Sequence, residues 1–138
     1  MNNKKLKVLI IAHELSPSSG SECAVGWNLV TRIASFHSVT VLYAGGSQAR
    51  PHSYKSAIEK YFQDNPAITD LGLISVDQPL FTRITSLLNR LFHKIGPIGL
   101  PLLYYLGYRS WQKSAFSAAY EMHKTLGFDV VHQLTQIT

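Results

Sequence analysis

Residues able to do chemistry gather at two places in this chain. The first is Ser19-Gly20-Ser21-Glu22, which follows an apolar run and a polar loop and leads into a helical pattern. A helix amino terminus presents free amide donors and the positive end of its dipole, so such a segment suits phosphate. Gly20 permits close backbone approach and Ser21 adds a hydroxyl. The glycine spacing does not make the G-x-G-x-x-G dinucleotide fingerprint, and no Gly-Lys-Ser/Thr follows to make a Walker loop. A plainer reading has equal standing: a helix capped by Ser19, with Glu22 reaching back and a glycine in the turn. The second place is His132, read as the last residue of a short strand, Asp129–His132. Its imidazole can donate or accept a hydrogen bond at neutral pH. The alternative is a hydrogen-bonded histidine at a sheet edge. Gln133 and Thr135 follow as polar liners of the same edge, and Asp129 reads as a turn or cap residue.

Several other chemistries find no support. The six histidines and single cysteine are scattered without paired ligand spacing, so no metal site is expected. No Gly-x-Ser-x-Gly elbow marks a serine nucleophile. No zinc-knuckle or RNP-type segment points to nucleic acid.

The elements that must position these residues alternate. Leu6–Ala12 is nearly continuous in apolar residues, as in a strand covered on both faces. A helix follows from the Ser19–Glu22 cap to about Phe36, with Cys23, Trp27, Val30, Ile33 and Ala34 at helical spacing. Val39–Tyr43 is a second strand, Ser53–Phe62 a short helix and Leu71–Val76 a third strand. Leu80–Ile95 carries a continuous apolar stripe: Leu80, Phe81, Ile84, Leu87, Leu88, Leu91, Phe92 and Ile95. A Gly/Pro-rich break precedes a long helix, Leu102–Leu126, which Gly127 caps. Strand alternating with helix predicts an α/β domain with a mostly parallel sheet between helical layers. In such a sheet the loop after the first strand and the end of the last strand share the ligand-binding edge.

Length and composition fit this. A chain of 138 residues builds one core, and 46% apolar with 15% charged residues are globular values. The single cysteine excludes an internal disulfide framework and accords with a reducing compartment. The basic amino terminus leads into a run too short, and too soon broken by His13 and Glu14, for an export signal. No stretch reaches the roughly 18 apolar residues of a membrane span.

The net charge of +5 points to an acidic partner: nucleic acid, an anionic lipid surface or a phosphorylated substrate. The positive charge is uneven: between Gln78 and Tyr120 there is no Asp or Glu, while Arg83, Arg90, Lys94, Arg109 and Lys113 are present. Arg83, Arg90 and Lys94 lie opposite the apolar stripe of the Leu80–Ile95 helix. That combination suits a helix lying on an anionic membrane surface, where each basic residue contributes roughly 1 kcal/mol. An ordinary core-packed helix with a basic outer side explains the same pattern.

The first strand–loop–helix unit adds a resemblance. Ser16-Pro17-x-x-Gly20-Ser21-Glu22 followed by Val25-Gly26-Trp27-Asn28 looks like the start of a family 4 glycosyltransferase of GT-B architecture, and the strand ending in His132 fits the same pattern. The family's paired glycines are replaced here by Gly20-Ser21. The resemblance implies a Rossmann-like acceptor-side domain that helps move a sugar from a nucleotide-sugar donor to a glycan or lipid-linked acceptor, without a metal or other cofactor. It implies that Gly20, Ser21, Glu22, Trp27, Asn28, Gln133 and Thr135 line the substrate cleft and that His132 touches the donor sugar or the reacting centre. It also implies that residues 1–138 are a single, incomplete amino-terminal domain, with the donor-binding carboxyl-terminal domain absent and little transfer by the chain alone. The implied setting is cytoplasmic, peripheral on the inner membrane face. A non-enzymatic membrane- or partner-binding module and a nucleotide-binding protein of another family remain as alternatives.

Overall fold

The computed structural model describes residues 4–45, 53–77, 79–92 and 100–134. Four strands, β1 (Lys7–Ala12), β2 (Ser38–Ala44), β3 (Leu71–Val76) and β4 (Val130–Leu134), form one sheet. Every neighbouring pair is parallel, in the order β3-β2-β1-β4. Helices α1 (Ser21–Ala34) and α2 (Ser53–Asp64) connect the first three strands, and α3 (Leu80–Phe92) and α4 (Leu100–Leu126) lead from β3 to β4.

The burial of each strand follows its place in the sheet. β1 and β2 are central and almost wholly buried, which explains their unbroken apolar runs. Their side chains alternate between two cores. Val8, Ile10, Ala12, Val39, Val41 and Tyr43 meet α1 through Cys23, Trp27, Val30 and Ala34, and α2 through Tyr54 and Ile58. Leu9, Ile11, Leu42 and Ala44 meet Trp111, Ala115 and Ala119 of α4 on the other face. The result is a three-layer, Rossmann-like α/β fold. Gly127, at φ +61°, ends α4, and its amide donates to the His123 carbonyl at 2.9 Å. Asp129 then ties the chain to β1: its carboxylate accepts from the Lys7 amide at 2.8 Å.

Helix α3 distinguishes the two readings of its apolar stripe, and the core-packed one does not hold. It packs on α4 rather than on the sheet, whose second face α4 already covers. The side it turns inward is polar. Thr82 and Thr85 are buried, and Thr82 Oγ1 donates to the Gly107 carbonyl at 3.1 Å. Its apolar stripe, Leu80, Phe81, Ile84, Leu87, Leu88 and Leu91, faces out. Among the described residues no helix is long and apolar enough to cross a membrane.

Candidate functional site

The chain passes from β1 to β2 to β3 in one direction and then returns through α3 and α4 to lay β4 on the other side of β1. The crevice where strand order reverses, at the carboxyl ends of β1 and β4, is where open α/β sheets bind ligands. The loop after β1 enters it braced by its own hydroxyls. Ser16 Oγ is buried, donates to Ser19 Oγ at 3.2 Å and accepts from the Ser18 amide at 3.3 Å.

This brace changes the expected cap of α1. The N-cap is Gly20, not Ser19, and no side chain caps the helix. Ser19 is drawn back to Ser16 instead. Gly20 sits at φ +48°, ψ 164°, a conformation open almost only to glycine. Ser21 and Glu22 lie in the first turn of α1 and are exposed, so the amide end of the helix meets solvent without a side-chain lid. Glu22 complements the helix dipole there.

The deeper part of the crevice centres on two adjacent residues at the end of β1. Glu14 is half-buried, with its carboxylate held from two elements. Tyr104 of α4 donates its hydroxyl to Oε1 at 3.3 Å, and the Cys23 thiol of α1 donates to Oε2 at 3.6 Å. The Tyr54 hydroxyl of α2 lies 3.8 Å from the same sulfur. Burial, reinforced by the Glu14 carboxylate, pushes both Tyr54 and Tyr104 above the usual phenol range, and burial raises the Cys23 thiol. All three therefore hold their protons at neutral pH. His13 points to the other face, 3% exposed, edge-on to Tyr108 at 4.8–5.1 Å centroid separation together with Trp111. Burial pulls its pKa down against the opposing effect of Glu14, and neither ring nitrogen has a hydrogen-bond partner.

The residues expected at the site divide. Gly20, Ser21 and Glu22 stand together at the crevice mouth. Trp27 does not join them: it is 3% exposed, in the core, edge-on to Tyr61 at 4.9 Å. Its place in the Gly-Trp-Asn run is explained by packing, since positions 23, 27, 30 and 34 form the buried face of α1. Asn28 is exposed one residue further on. β4 continues past His132 to Leu134, so His132 is a mid-strand residue, opposite Ile10 and roughly 7 Å short of the strand's end at about 3.3 Å per residue. It is exposed on the α1 side of the sheet, because its partner Ile10 belongs to the α1 core. Gln133, opposite Ile11, faces the α4 side. The two therefore line opposite faces of β4. Arg83 is exposed on α3. Thr135, Lys94 and the Arg90 side chain lie outside the described residues.

Sequence reasoning passed over Glu14, Tyr54, Tyr104 and His13. The signal for the first and last was present: a His-Glu pair directly after a buried strand sits where that strand delivers ligand-facing residues. Tyr104 and Tyr108 share the helical spacing of Trp111 and look like core until the helix is seen to overrun the sheet edge. No group of three metal-ligating side chains forms among the described residues. A cavity of about 430 Å³ between the end of α1 and the entry to β3 lies at the opposite, amino-terminal edge of the sheet. No family model, curated protein or solved structure matches this chain.

Proposed function

We propose that this chain serves as the acceptor-side half of a GT-B glycosyltransferase, acting on a nucleotide-sugar donor and a glycan or lipid-linked acceptor at the cytoplasmic face of a membrane. The observation that carries the reading is the reversal of strand order between β1 and β4, with Gly20, Ser21 and Glu22 at the mouth of that crevice; the resemblance of the Ser16–Asn28 sequence to family 4 glycosyltransferases supports it. In this reading the uncapped amides of Ser21 to Cys23 face the donor diphosphate, as preorganised dipoles that stabilise the charge developing on the leaving group. Glu14, with Tyr104 and Cys23 as protonated donors, offers a carboxylate to an acceptor hydroxyl. His132 meets the sugar from the exposed side of β4. The donor-binding half is supplied by a second Rossmann-like domain. Amide chemical shifts followed during titration with nucleotide sugars test this: weak binding should move residues 14 and 20–23 first. A response confined to another surface would reject the assignment.

A second property is supported by α3. Its outward stripe, in a stretch without acidic residues, suits docking on an anionic membrane surface. This fits a lipid-linked acceptor and equally a module that binds membrane without catalysis. Vesicle binding with no response to any nucleotide sugar would favour the latter.

A further inference from the structure

Between α4 and β4 lies a groove of about 310 Å³ that the proposed donor chemistry does not use. We infer that it is a binding site for a phosphate or diphosphate ester. Its wall on the helix is Arg109, Gln112, Lys113 and Phe116; its other wall is Gln133, and Ile11 lies at its base. Arg109 and Lys113 are one helical turn apart and both exposed, so their charges converge on one side of α4.

Among the described residues neither cation has an ion-pair partner. The ion pairs formed among them are Lys5 with Asp70 and Lys124 with Glu121, and no Asp or Glu occurs between Gln78 and Tyr120. The Arg109 guanidinium lies over the Tyr105 ring at 5.7 Å, which leaves its N–H edges free for an anion. Gln112 spends one N–H on the Tyr108 hydroxyl at 3.2 Å and keeps a second donor. Gln133 brings its amide from the strand opposite. The groove thus offers a forked cation, a point cation and amide donors, with Ile11 and Phe116 as an apolar wall. A forked guanidinium beside an ammonium matches the several oxygens of a phosphoryl group. The volume, within the range of small-molecule sites, leaves room for the organic part of an ester beside the apolar wall.

The groove is separate from the proposed donor-phosphate site, whose anion would sit at the amino end of α1 on the opposite face of the sheet. Amide-resolved titration of the full chain with inorganic pyrophosphate, geranyl diphosphate and uridine diphosphate tests it. Saturable shifts should appear at residues 109–116 and 133 with all three probes. Arg109→Gln and Lys113→Gln should each weaken binding about tenfold, the loss of one charge-assisted hydrogen bond. Raising salt from about 50 to about 300 mM should weaken it further. Geranyl diphosphate binding more tightly than uridine diphosphate identifies an isoprenoid ester as the ligand class, and the reverse order a nucleotide; equal affinities identify recognition of the phosphoryl group alone. Shifts confined to residues 20–23 would overturn the groove while leaving the proposed function standing. Unchanged affinity in the double variant, or a response to sodium sulfate equal to that to pyrophosphate, would also overturn it.

Discussion

Replacing Leu87 and Leu91 by serine should strip the chain of most of its affinity for anionic vesicles while leaving its fold intact. The two side chains are 59% and 56% exposed. Fully burying a leucine is worth about 1.5–3 kcal/mol. The fraction still in water therefore represents about 1–1.5 kcal/mol for each, or about 2–3 kcal/mol for the pair. That corresponds to a roughly 30- to 150-fold loss of partitioning. Folding stability should change by no more than about 0.5 kcal/mol, because surface positions tolerate substitution. Cosedimentation with vesicles of mixed phosphatidylcholine and phosphatidylglycerol measures the first quantity and urea unfolding the second. Arg83→Glu should reduce binding further, with the effect fading as salt screens it over about 10 Å at 0.1 M. Unchanged partitioning of the double variant would refute interfacial docking. A loss of stability above about 2 kcal/mol would show instead that the stripe is covered in solution.

Other perturbations separate packing from chemistry. Trp27→Ala should cost about 3–5 kcal/mol of stability as a core truncation, read by urea unfolding, with no ligand effect separable from that loss. Gly20→Ala should cost about 1–3 kcal/mol through backbone strain alone, because no atom lies within 4 Å of the added Cβ; a neutral effect would mean that the turn relaxes freely. Glu14→Ala should destabilise by about 1–3 kcal/mol by orphaning the Tyr104 and Cys23 donors, and Glu14→Gln by less. His13 has a folded pKa below its unfolded value of 6.5. The unfolded chain therefore takes up a proton first as pH falls, and His13's contribution should decline from about pH 6.5 down to its lowered folded pKa. His13→Phe should flatten that part of the stability profile, and an unaltered slope would assign it elsewhere.

Strand alternation and the buried β1 run were legible in the sequence because a parallel sheet covered on both faces needs continuous apolar strands. β1, α1, β2 and β3 lie where the patterns put them, within a residue or two. The α3 stripe was equally legible, but not what it faces. Periodicity reports that a helix has an apolar side, whereas competition with Trp111, Ala115 and Ala119 for the sheet face decides which side is buried. Ser19 and Glu22 have capping-box spacing, yet Ser16 takes the Ser19 hydroxyl, a contact set by the loop's path. Trp27 looked functional within its motif and is core by its helical phase. The position of Glu14 after β1 was legible but its setting was not, because its partners Cys23 and Tyr104 are up to 90 residues away along the chain and meet it only at the folded sheet edge.

The most direct test of the central claim is sugar transfer. Residues 1–138 would be combined with a donor-binding carboxyl-terminal GT-B domain, and release of nucleoside diphosphate measured with a nucleotide sugar and a lipid-linked acceptor. Turnover should appear only when both parts are present and should fall on Gly20→Val or Glu14→Gln substitution in a chain that still folds. Robust transfer by residues 1–138 alone would contradict the division of labour between the two halves. Tight binding of a dinucleotide to the isolated chain would contradict the glycosyltransferase reading altogether.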